Sequence, residues 1–416
     1  MNKTTNASDP WSIPLDKIDV SEASRFGNDT QGAFFQRLRK EDPVHYCADS
    51  INGPYWSVTK FHDIKAVDTN HEVYSSEPSI AIADADAEPE VRIENFIAMD
   101  PPRHDEQRKT VSPSTAPSNL ARLEPLIRER VEDILDNLPL GETFNWVDKV
   151  SVELTARMLA TLFDFPYEDR RNLIYWSDIT TSSPLLMGEA GLPAEVRAKE
   201  LAQCAETFLG LWQERAAQEP RFDLISMLAH GEATRDMLSR PEEFLGNILL
   251  LIVGGNDTTR NSISGGVVAL NQFPDQYDKL RAHPELIPNM VAEMIRWQSP
   301  VIHMRRTATR DTELGGKKIK AGDKVIMWYL SGNRDEDIFD DADKLIIDRP
   351  NARAHVAFGY GIHRCMGNRL AEMQLRVLWE EIMKRFHRVE MTGDPVRLPN
   401  NFIRGIAEVP VILHPL

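Results

Sequence analysis

A lone cysteine stands in a glycine-rich loop near the C-terminal end of the chain. The segment 358–367 reads FGYGIHRCMG, and apolar residues recur at helical spacing directly after it. Backbone N–H groups at a helix start can hydrogen-bond a thiolate, and the positive helix end lowers the pKa of Cys365. Gly361 and Gly367 permit backbone conformations closed to other residues and let a flat ligand approach closely. This pattern suits a thiolate that binds a metal; the alternative is a buried structural cysteine.

A long helical pattern at 241–273 carries a second candidate, the run Gly-Gly-Asn-Asp-Thr-Thr at 254–259. Each glycine costs a helix interior roughly 1 kcal/mol relative to alanine, so the pair needs a reason. Thr258 can donate to the carbonyl of Gly254, four residues earlier, which bends or opens the helix. Its hydroxyl, together with Asp257, then suits proton delivery to a reacting group. A flexible or tightly packed helix is the alternative.

The cysteine loop resembles the haem loop of the cytochrome P-450 superfamily, FxxGxxxCxG, at Phe358, Gly361, Cys365 and Gly367. The resemblance spans the chain from about Asp42 to its end. It implies haem b with Cys365 as the axial ligand of the iron, O2 as co-substrate, and electrons from NAD(P)H through redox partners.

The same resemblance gives the run at 254–259 a role. Asp257 and Thr258 look like the acid–alcohol pair of the monooxygenases, with Asp257 relaying protons from solvent to Thr258. Gly254 and Gly255 leave room for the macrocycle and for O2. The pair disfavours the peroxide-using branch of the superfamily, which typically lacks it.

Glu293 and Arg296 stand at i, i+3 on one helix face. Alone, such a pair is usually a surface ion pair worth little. It resembles the ExxR motif of the superfamily, which implies a buried, mutually neutralised triad with a second arginine that supports the cysteine loop. Arg349 is the candidate for this third member, and Arg353 is the alternative.

Four cationic or ionisable residues are candidates for binding the haem propionates. His104 and Arg108 have i, i+4 spacing and resemble the HxxxR element. Arg306 and His363 fit similar roles after ExxR and in the cysteine loop. Generic surface residues are the alternative for each, but together they supply the cations that two buried carboxylates require.

A narrower resemblance concerns the substrate. The segments 249–262 and 298–307 look like those of the bacterial alkane and fatty-acid terminal hydroxylases. This implies hydroxylation at the terminal (ω) carbon of medium-chain alkanes, fatty acids or related compounds. The alternatives are hydroxylation of a terpene, steroid or polyketide and, from another class, a non-catalytic haem sensor or carrier. Proton delivery through Asp257 and Thr258 argues against the carrier, because O2 storage has no use for it.

Apolar residues near these motifs are candidates for a substrate pocket, with ordinary core packing as the alternative for each. If the superfamily layout holds, some line the distal wall and others, between two helical segments, form a lid or access channel. The candidates are Leu250, Val253, Ile302 and Met304 for the wall, and Leu185, Leu186 and Met187 for the lid.

Separate redox partners are expected, and the type resembled uses a ferredoxin and a ferredoxin reductase. An acidic ferredoxin could dock on cations near the cysteine, although these are as well explained by a solvated surface. The candidates are Arg103, Lys109, Arg364, Arg369 and Arg376.

Composition excludes several other classes of function. The 416-residue chain has a formal charge of −16, which disfavours nucleic-acid binding and attachment to anionic lipid. Cys47, Cys204 and Cys365 are far apart, so a disulfide framework or multi-cysteine zinc site is not expected. No signal peptide or membrane-spanning run is visible, and we expect a cytoplasmic, soluble protein.

The elements that position these residues are mostly helical. Helices are predicted at 118–138, 148–163, 194–216, 241–273 and 286–297, and after Cys365 to 386. Short strands are predicted within 311–327 and 396–416. The predicted class is mainly α with a minor β lobe (α+β), and the resemblance implies the cytochrome P-450 fold, with haem between the long central helix and the cysteine loop. We expect one domain over 1–416, with a partly extended segment at 1–40 and a helix-rich core from about 118.

Overall fold

The computed structural model describes residues 9–84, 87–91 and 93–416. Helices dominate these residues. The α-helices are α1 (Ala23–Gly27), α2 (Gln31–Glu41), α3 (Phe61–Thr69), α4 (Arg103–Val111), α5 (Pro117–Asp136), α6 (Glu153–Phe163), α7 (Arg171–Thr180), α8 (Pro184–Met187), α9 (Ala194–Ala216), α10 (Leu224–His230), α11 (Pro241–Gln272), α12 (Pro274–Ala282), α13 (Ile287–Gln298), α14 (Tyr329–Gly332) and α15 (Asn368–Arg385).

The strands form small sheets. The largest has the order β1-β2-β8-β5-β3, a second has the order β4-β12-β9, and β6–β7 and β10–β11 are two-stranded. The strands are β1 (Val44–Cys47), β2 (Tyr55–Val58), β3 (Tyr74–Ser75), β4 (Phe144–Asn145), β5 (Met304–Ala308), β6 (Thr312–Leu314), β7 (Lys317–Ile319), β8 (Lys324–Met327), β9 (Phe386–Met391), β10 (Val396–Arg397), β11 (Ile406–Glu408) and β12 (Pro410–Pro415).

The predicted class, mainly α with a minor β component, is confirmed. The long helix α11 begins at Pro241 with Glu242 and Glu243 in its first turn, where acidic side chains favour a helix start. Helix α9 has the predicted bounds. The predicted helix at 148–163 is α6 preceded by a π-helical stretch, Val147–Val152. Helices already begin at Ala23, so helical structure starts well before residue 118, and α1 and most of α2 lie in the segment predicted as partly extended.

Helix α11 runs through the interior and is buried along most of its length. Its glycines allow α13 to approach it closely. A Cβ added at Gly265 would lie 2.4 Å from Gln298 Oε1, and one at Gly266 would lie 2.9 Å from the sulfur of Met294. The helix that carries the predicted proton-delivery residues is therefore fixed against the helix that carries Glu293 and Arg296.

Among the residues that the structure describes, no helix is both long enough and apolar enough to cross a bilayer.

Candidate active site

A cavity of about 260 Å³ lies between α11 and the cysteine loop. Side chains from remote parts of the chain line it. They include, from α11, Leu250, Leu251, Val253, Gly254, Gly255, Thr258 and Thr259; from other segments, Ile80, Phe96, Ile97, Arg108, Leu224, Val301, Met304, Arg306, Phe402 and Ile403; and from the cysteine loop, Phe358, His363, Cys365 and Gly367.

The sulfur of Cys365 is placed by a loop that turns directly into α15. The backbone N–H of Cys365 donates to the carbonyl oxygen of Phe358 at 2.8 Å, which closes the loop. Burial raises the pKa of the Cys365 thiol. The backbone N–H groups of Gly367 and Asn368 act in the opposite direction and lower the pKa, as does the guanidinium of Arg108. The loop thus combines an open sulfur with donors that favour a thiolate.

The two loop glycines differ from the prediction that both admit a flat ligand. Gly361 has φ +67° and does not line the cavity; a Cβ there would lie 2.3 Å from the backbone oxygen of Asp68 in α3. It is required because the loop packs against α3. Gly367 has an ordinary φ of −85° and lines the cavity, with no heavy atom within 4 Å of an added Cβ. Only Gly367 leaves space on the cavity side.

The predicted propionate-binding residues converge near the cysteine loop. The imidazoles of His104 and His363 lie with ring centroids 4.2 Å apart. Nε2 of His104 and both ring nitrogens of His363 are buried without a hydrogen-bond partner. Burial, followed by the charges of Arg306 and other neighbours, lowers the pKa of His363 to about 2. His104 itself does not line the cavity and reaches it through His363.

Two arginines complete this group. Arg306 lines the cavity and donates to Oδ1 of Asp68 at 2.8 Å. Arg108 also lines the cavity and donates to the carbonyl oxygen of Arg364, and no acidic side chain of the described residues pairs with it. A cation without a counter-ion beside buried, unpartnered imidazole nitrogens suits an anionic ligand, because buried polar groups are normally satisfied.

On α11, the hydroxyl of Thr258 donates to the carbonyl oxygen of Gly254 at 3.0 Å, as the spacing predicted. A Cβ at Gly254 would meet no heavy atom within 4 Å, whereas one at Gly255 would lie 2.7 Å from Leu159 of α6. Gly254 therefore leaves open space beside Thr258, and Gly255 also allows α6 to approach.

Asp257 lies behind this surface and does not line the cavity. Its Oδ1 accepts hydrogen bonds from Asn256 and Arg260, and the neighbouring Ser177 hydroxyl acts to lower its pKa. Arg260 also donates to Asp178 at 2.7 Å, and the side chain of Asp178 is 52% exposed. Burial raises the pKa of Asp257 above its ordinary value. The arrangement links a buried carboxyl group beside Thr258 to the protein surface.

The structure brings Glu293, Arg296 and Arg349 together in the core. Arg296 donates to both carboxylate oxygens of Glu293 at 2.7 Å, and Arg349 donates to Oε1 at 3.0 Å. The remaining guanidinium N–H groups of Arg296 and Arg349 donate to backbone carbonyl oxygens, including that of Lys344. Arg353, the alternative, is exposed and pairs with Glu372.

The apolar wall differs in part from the prediction. Leu250, Val253 and Met304 line the cavity, but Ile302, Leu186 and Met187 do not. Ile302 packs in a core cluster around Trp328, before β5 begins. Helix α8 contacts the segment 400–403 instead, where Asn401 donates its N–H to the carbonyl of Leu186 at 3.0 Å. Phe402 and Ile403 of that segment face the cavity in place of the predicted lid.

Sequence reasoning missed other residues of the site. Ile80, Phe96, Ile97, Leu224, Phe402 and Ile403 line the cavity but lie in segments with no shared periodicity. No pattern indicated Asp68, the partner of Arg306. Arg260 had a usable signal, because it follows Asp257 at i, i+3 on a predicted helix.

The donor set fits haem. An open cysteine sulfur, unpartnered histidine nitrogens, an unpaired arginine and free space beside Gly254 and Gly367 meet at one cavity. A family model described as Cytochrome P450 matches residues 194–411. The chain belongs to the cytochrome P450 family.

Similarity to individual P450s extends over almost the whole chain. The structure of cytochrome P450-153 from Novosphingobium aromaticivorans matches with a TM-score of 0.89 at 46% identity, covering 98% of this chain and 100% of that one. Linalool 8-monooxygenase of Pseudomonas putida is 37% identical over 96% of this chain and 100% of its own length. The methyl-branched lipid omega-hydroxylase of Mycobacterium tuberculosis is 32% identical over 98% and 97%.

This P450 is therefore a monooxygenase, an oxidoreductase that acts with O2. The family implies haem b as cofactor and electrons from NAD(P)H through redox partners. The alternative of a non-catalytic haem carrier is set aside.

A basic surface lies beside the cysteine loop of this P450. Arg108, Arg353, Arg364 and Arg369 line an opening that also exposes Cys365, with Glu372 as the acidic member. Two other cations predicted for this surface are neutralised by acids: Arg103 binds Glu243 at 2.8 Å, and Arg376 binds Glu124 at 2.7 Å. Lys109 is exposed but does not line the opening. The basic surface is thus narrower than expected.

Proposed function

We propose that this P450 hydroxylates the terminal (ω) carbon of an uncharged, apolar alkyl chain, with medium-chain alkanes as the preferred class and fatty acids as weaker substrates. One observation carries the proposal. Among the described residues that line the cavity, the ionisable ones, apart from Cys365, are Arg108, Arg306, His363 and Tyr329, and the hydroxyl of Tyr329 already donates to Asp68. The rest of the wall is dominated by apolar side chains, which offer nothing to a carboxylate.

The residues at the cysteine loop hold the cofactor in this proposal. Cys365 supplies the thiolate for the iron, and His104, Arg108, Arg306 and His363 supply the groups that neutralise the propionates. Bound haem supplies O2 activation, which protein side chains alone lack. The unpartnered nitrogens of His104 and His363 and the unpaired guanidinium of Arg108 support this assignment.

In this proposal, residues of α11 deliver protons to the cavity. Thr258 faces the cavity and its hydroxyl donates to the carbonyl oxygen of Gly254, which leaves the hydroxyl oxygen free to accept a hydrogen bond from a donor in the cavity. Asp257, adjacent in sequence, is fully buried, and this burial raises its pKa, which suits a group that takes up and releases a proton.

The basic surface at Arg353, Arg364 and Arg369 serves, we infer, as the docking site for an acidic ferredoxin, which a ferredoxin reductase reduces. Exposed cations beside the cysteine loop would steer such a partner and bring it close to the ligand of the iron. Arg369→Glu should slow reduction by ferredoxin, whereas Lys320→Glu, in the turn after β7, should leave it unchanged.

A terpene alcohol is the second candidate substrate. The relative named linalool 8-monooxygenase is 37% identical over 96% of this chain, and an apolar cavity accepts a branched chain as readily as a linear one. A steroid is a further alternative, because a relative named steroid C26-monooxygenase is 34% identical over 89% of this chain.

Incubation of the holoenzyme with surrogate ferredoxin, ferredoxin reductase and NADH separates these possibilities. Separate reactions receive n-octane, octanoic acid and linalool, and the products are identified by mass spectrometry. We expect 1-octanol as the main product, and less product from octanoic acid. Exclusive oxidation of linalool would replace the proposal with the second candidate, and hydroxylation of octane mainly at internal carbons would contradict terminal selectivity.

A further inference from the structure

A buried histidine connects segments that form the apolar wall of the cavity. His303 lies between the cavity residues Val301 and Met304 and is itself fully buried, without facing the cavity. Its Nδ1 binds the backbone oxygen of Asn401 at 2.8 Å, and its Nε2 binds the backbone N–H of Ile82 at 3.0 Å. One imidazole therefore bridges two segments that are more than 300 residues apart in sequence.

Both bridged segments carry wall residues. Ile80 lines the cavity two positions before Ile82, and Phe402 lines it next to Asn401. The ring of His303 also packs edge-on against Phe402, with centroids 5.3 Å apart. His303 thus contacts both of the segments that carry these wall side chains.

Backbone hydrogen bonds near His303 join its own segment to each of the two flanking segments. Ile302 donates to the carbonyl of Phe402 at 2.8 Å, and Arg305 donates to that of Ile80 at 2.7 Å. These bonds tie the central segment to each neighbour separately. Among the described residues, His303 is the side chain that binds the backbone of both flanking segments at once.

The direction of both hydrogen bonds requires a neutral ring. Nε2 must accept from Ile82, so the proton resides on Nδ1, which donates to Asn401. Burial lowers the pKa of His303 to about 4, which keeps this tautomer at neutral pH.

We propose that His303 is a positioning residue for substrate selection: by holding Ile82 and Asn401 together, it fixes the wall formed by Ile80 and Phe402 and so sets how well the cavity distinguishes alkyl chains by length. The inference rests on the proposed role of the cavity as the substrate chamber. It does not depend on which carbon is oxidised or on the identity of the natural substrate.

His45 is a matched control. It is buried like His303, and its ring nitrogens bind Asp42 at 2.9 Å and the backbone oxygen of Ile18 at 3.2 Å. It does not line or adjoin the wall residues of the cavity. Loss of its hydrogen bonds therefore reports the effect of general destabilisation without a change in the wall.

The experiment titrates holoenzyme with imidazole and with N-butyl-, N-octyl- and N-dodecylimidazole, following the shift of the haem absorption band. The imidazole nitrogen binds the iron and the alkyl tail probes the wall, so no turnover is needed. In the wild type we expect Kd to depend strongly on tail length. In His303→Phe we expect the ratio of the largest to the smallest Kd in this series, called the spread, to fall roughly tenfold or more. The Kd of imidazole itself should not change.

His303→Gln retains a donor and an acceptor and should restore most of the wild-type spread, and His45→Phe should preserve it. His303→Leu provides the same readout if the Phe variant yields no holoenzyme. A wild-type spread in both the Phe and Leu variants would overturn the inference, as would an equal narrowing in His45→Phe. Absence of octane hydroxylation with an intact tail-length response would reject the proposed substrate and leave the role of His303 standing.

Discussion

Arg260 donates a hydrogen bond to Oδ1 of Asp257 at 2.5 Å, across less than one turn of α11. The same guanidinium nitrogen binds the half-exposed Asp178 at 2.7 Å, so it joins a fully buried carboxyl group to one that contacts solvent. Thr258 follows Asp257 in the chain and faces the cavity, so the proposed proton delivery places the buried carboxyl group directly behind the cavity wall.

Asp257→Asn should slow O2-dependent product formation roughly a hundredfold, because a group that shuttles a proton typically contributes that much or more. Reduction of the ferric enzyme by the first electron needs no proton from Asp257 and should keep its wild-type rate. Stopped-flow reduction and steady-state product formation measure the two steps. Equal rates of product formation in wild type and variant would exclude Asp257 from proton delivery.

Thr258→Ala should uncouple NADH consumption from product formation and release hydrogen peroxide, since the hydroxyl that directs protons in the cavity is gone. Thr258→Ser keeps an oxygen able to donate to Gly254 and should remain largely coupled. The ratio of product to NADH consumed, with peroxide assayed in parallel, provides the measurement. Unchanged coupling in the Ala variant would refute the relay role.

Cys365→Ser tests the proposed axial ligand. A thiolate bound to haem iron gives the reduced carbon monoxide complex a strongly red-shifted absorption band, and a serine oxygen does not. We expect this band in the wild type and its loss in Cys365→Ser. Cys204→Ser, at a buried apolar position away from the cavity, is the control and should keep it. A wild-type spectrum in Cys365→Ser would end the assignment.

Glu293→Gln should destabilise the protein by roughly 3–5 kcal/mol, because it leaves two buried guanidinium groups without their counter-ion. Arg353→Gln, which removes an exposed pair with Glu372, should change stability by about 0–1 kcal/mol. Chemical denaturation of both variants measures the difference. Similar stability of the two variants would mean that the triad is not required for the core.

Acidification should destabilise the native state through two buried histidines. Burial lowers the pKa of His303 to about 4 and that of His355 to about 3, so both stay neutral in the folded protein while the unfolded chain takes up protons below about pH 6.5. The contribution of the two neutral histidines to the free energy of unfolding is complete above that pH and is lost as pH falls towards 4. Each should lower the free energy of unfolding by roughly 1.4 kcal/mol per pH unit over that range.

Denaturation curves between pH 7 and 5 measure this slope. His303→Gln should reduce it, and His387→Gln, at an exposed position, is the matched control. The same slope in His303→Gln as in the wild type would show that His303 is protonated in the folded state.

Local patterns were sufficient for the longer helices, such as α9 and α11, and for residues whose neighbours are close in sequence, but they missed α2, α3 and α7. The spacing of Glu293 and Arg296, and the bond from Thr258 to Gly254, follow from helix geometry alone. Arg349 could be proposed because the family resemblance calls for a third member. Gly361 shows the limit, because its requirement comes from α3, almost 300 residues away.

The cavity wall could not be derived in the same way. Ile302 and Met304 look equivalent in sequence, but the chain enters β5 between them, so one packs on Trp328 and the other faces the cavity. Phe402 reaches the cavity in a segment that bonds to Ile302, a hundred residues earlier in the chain. Contacts of this kind depend on tertiary packing, which carries no periodic signal in the chain.

The close approach of Gly361 to the backbone of Asp68 has a consequence for engineering. Asp68 also binds Arg306, Tyr329 and the N–H of Tyr360, so the cysteine loop and α3 share one set of contacts. A chimera that receives residues 358–367 from another P450 would inherit a loop shaped for a different helix. Exchanges between family members should therefore transplant 61–69 together with the loop, as a single module.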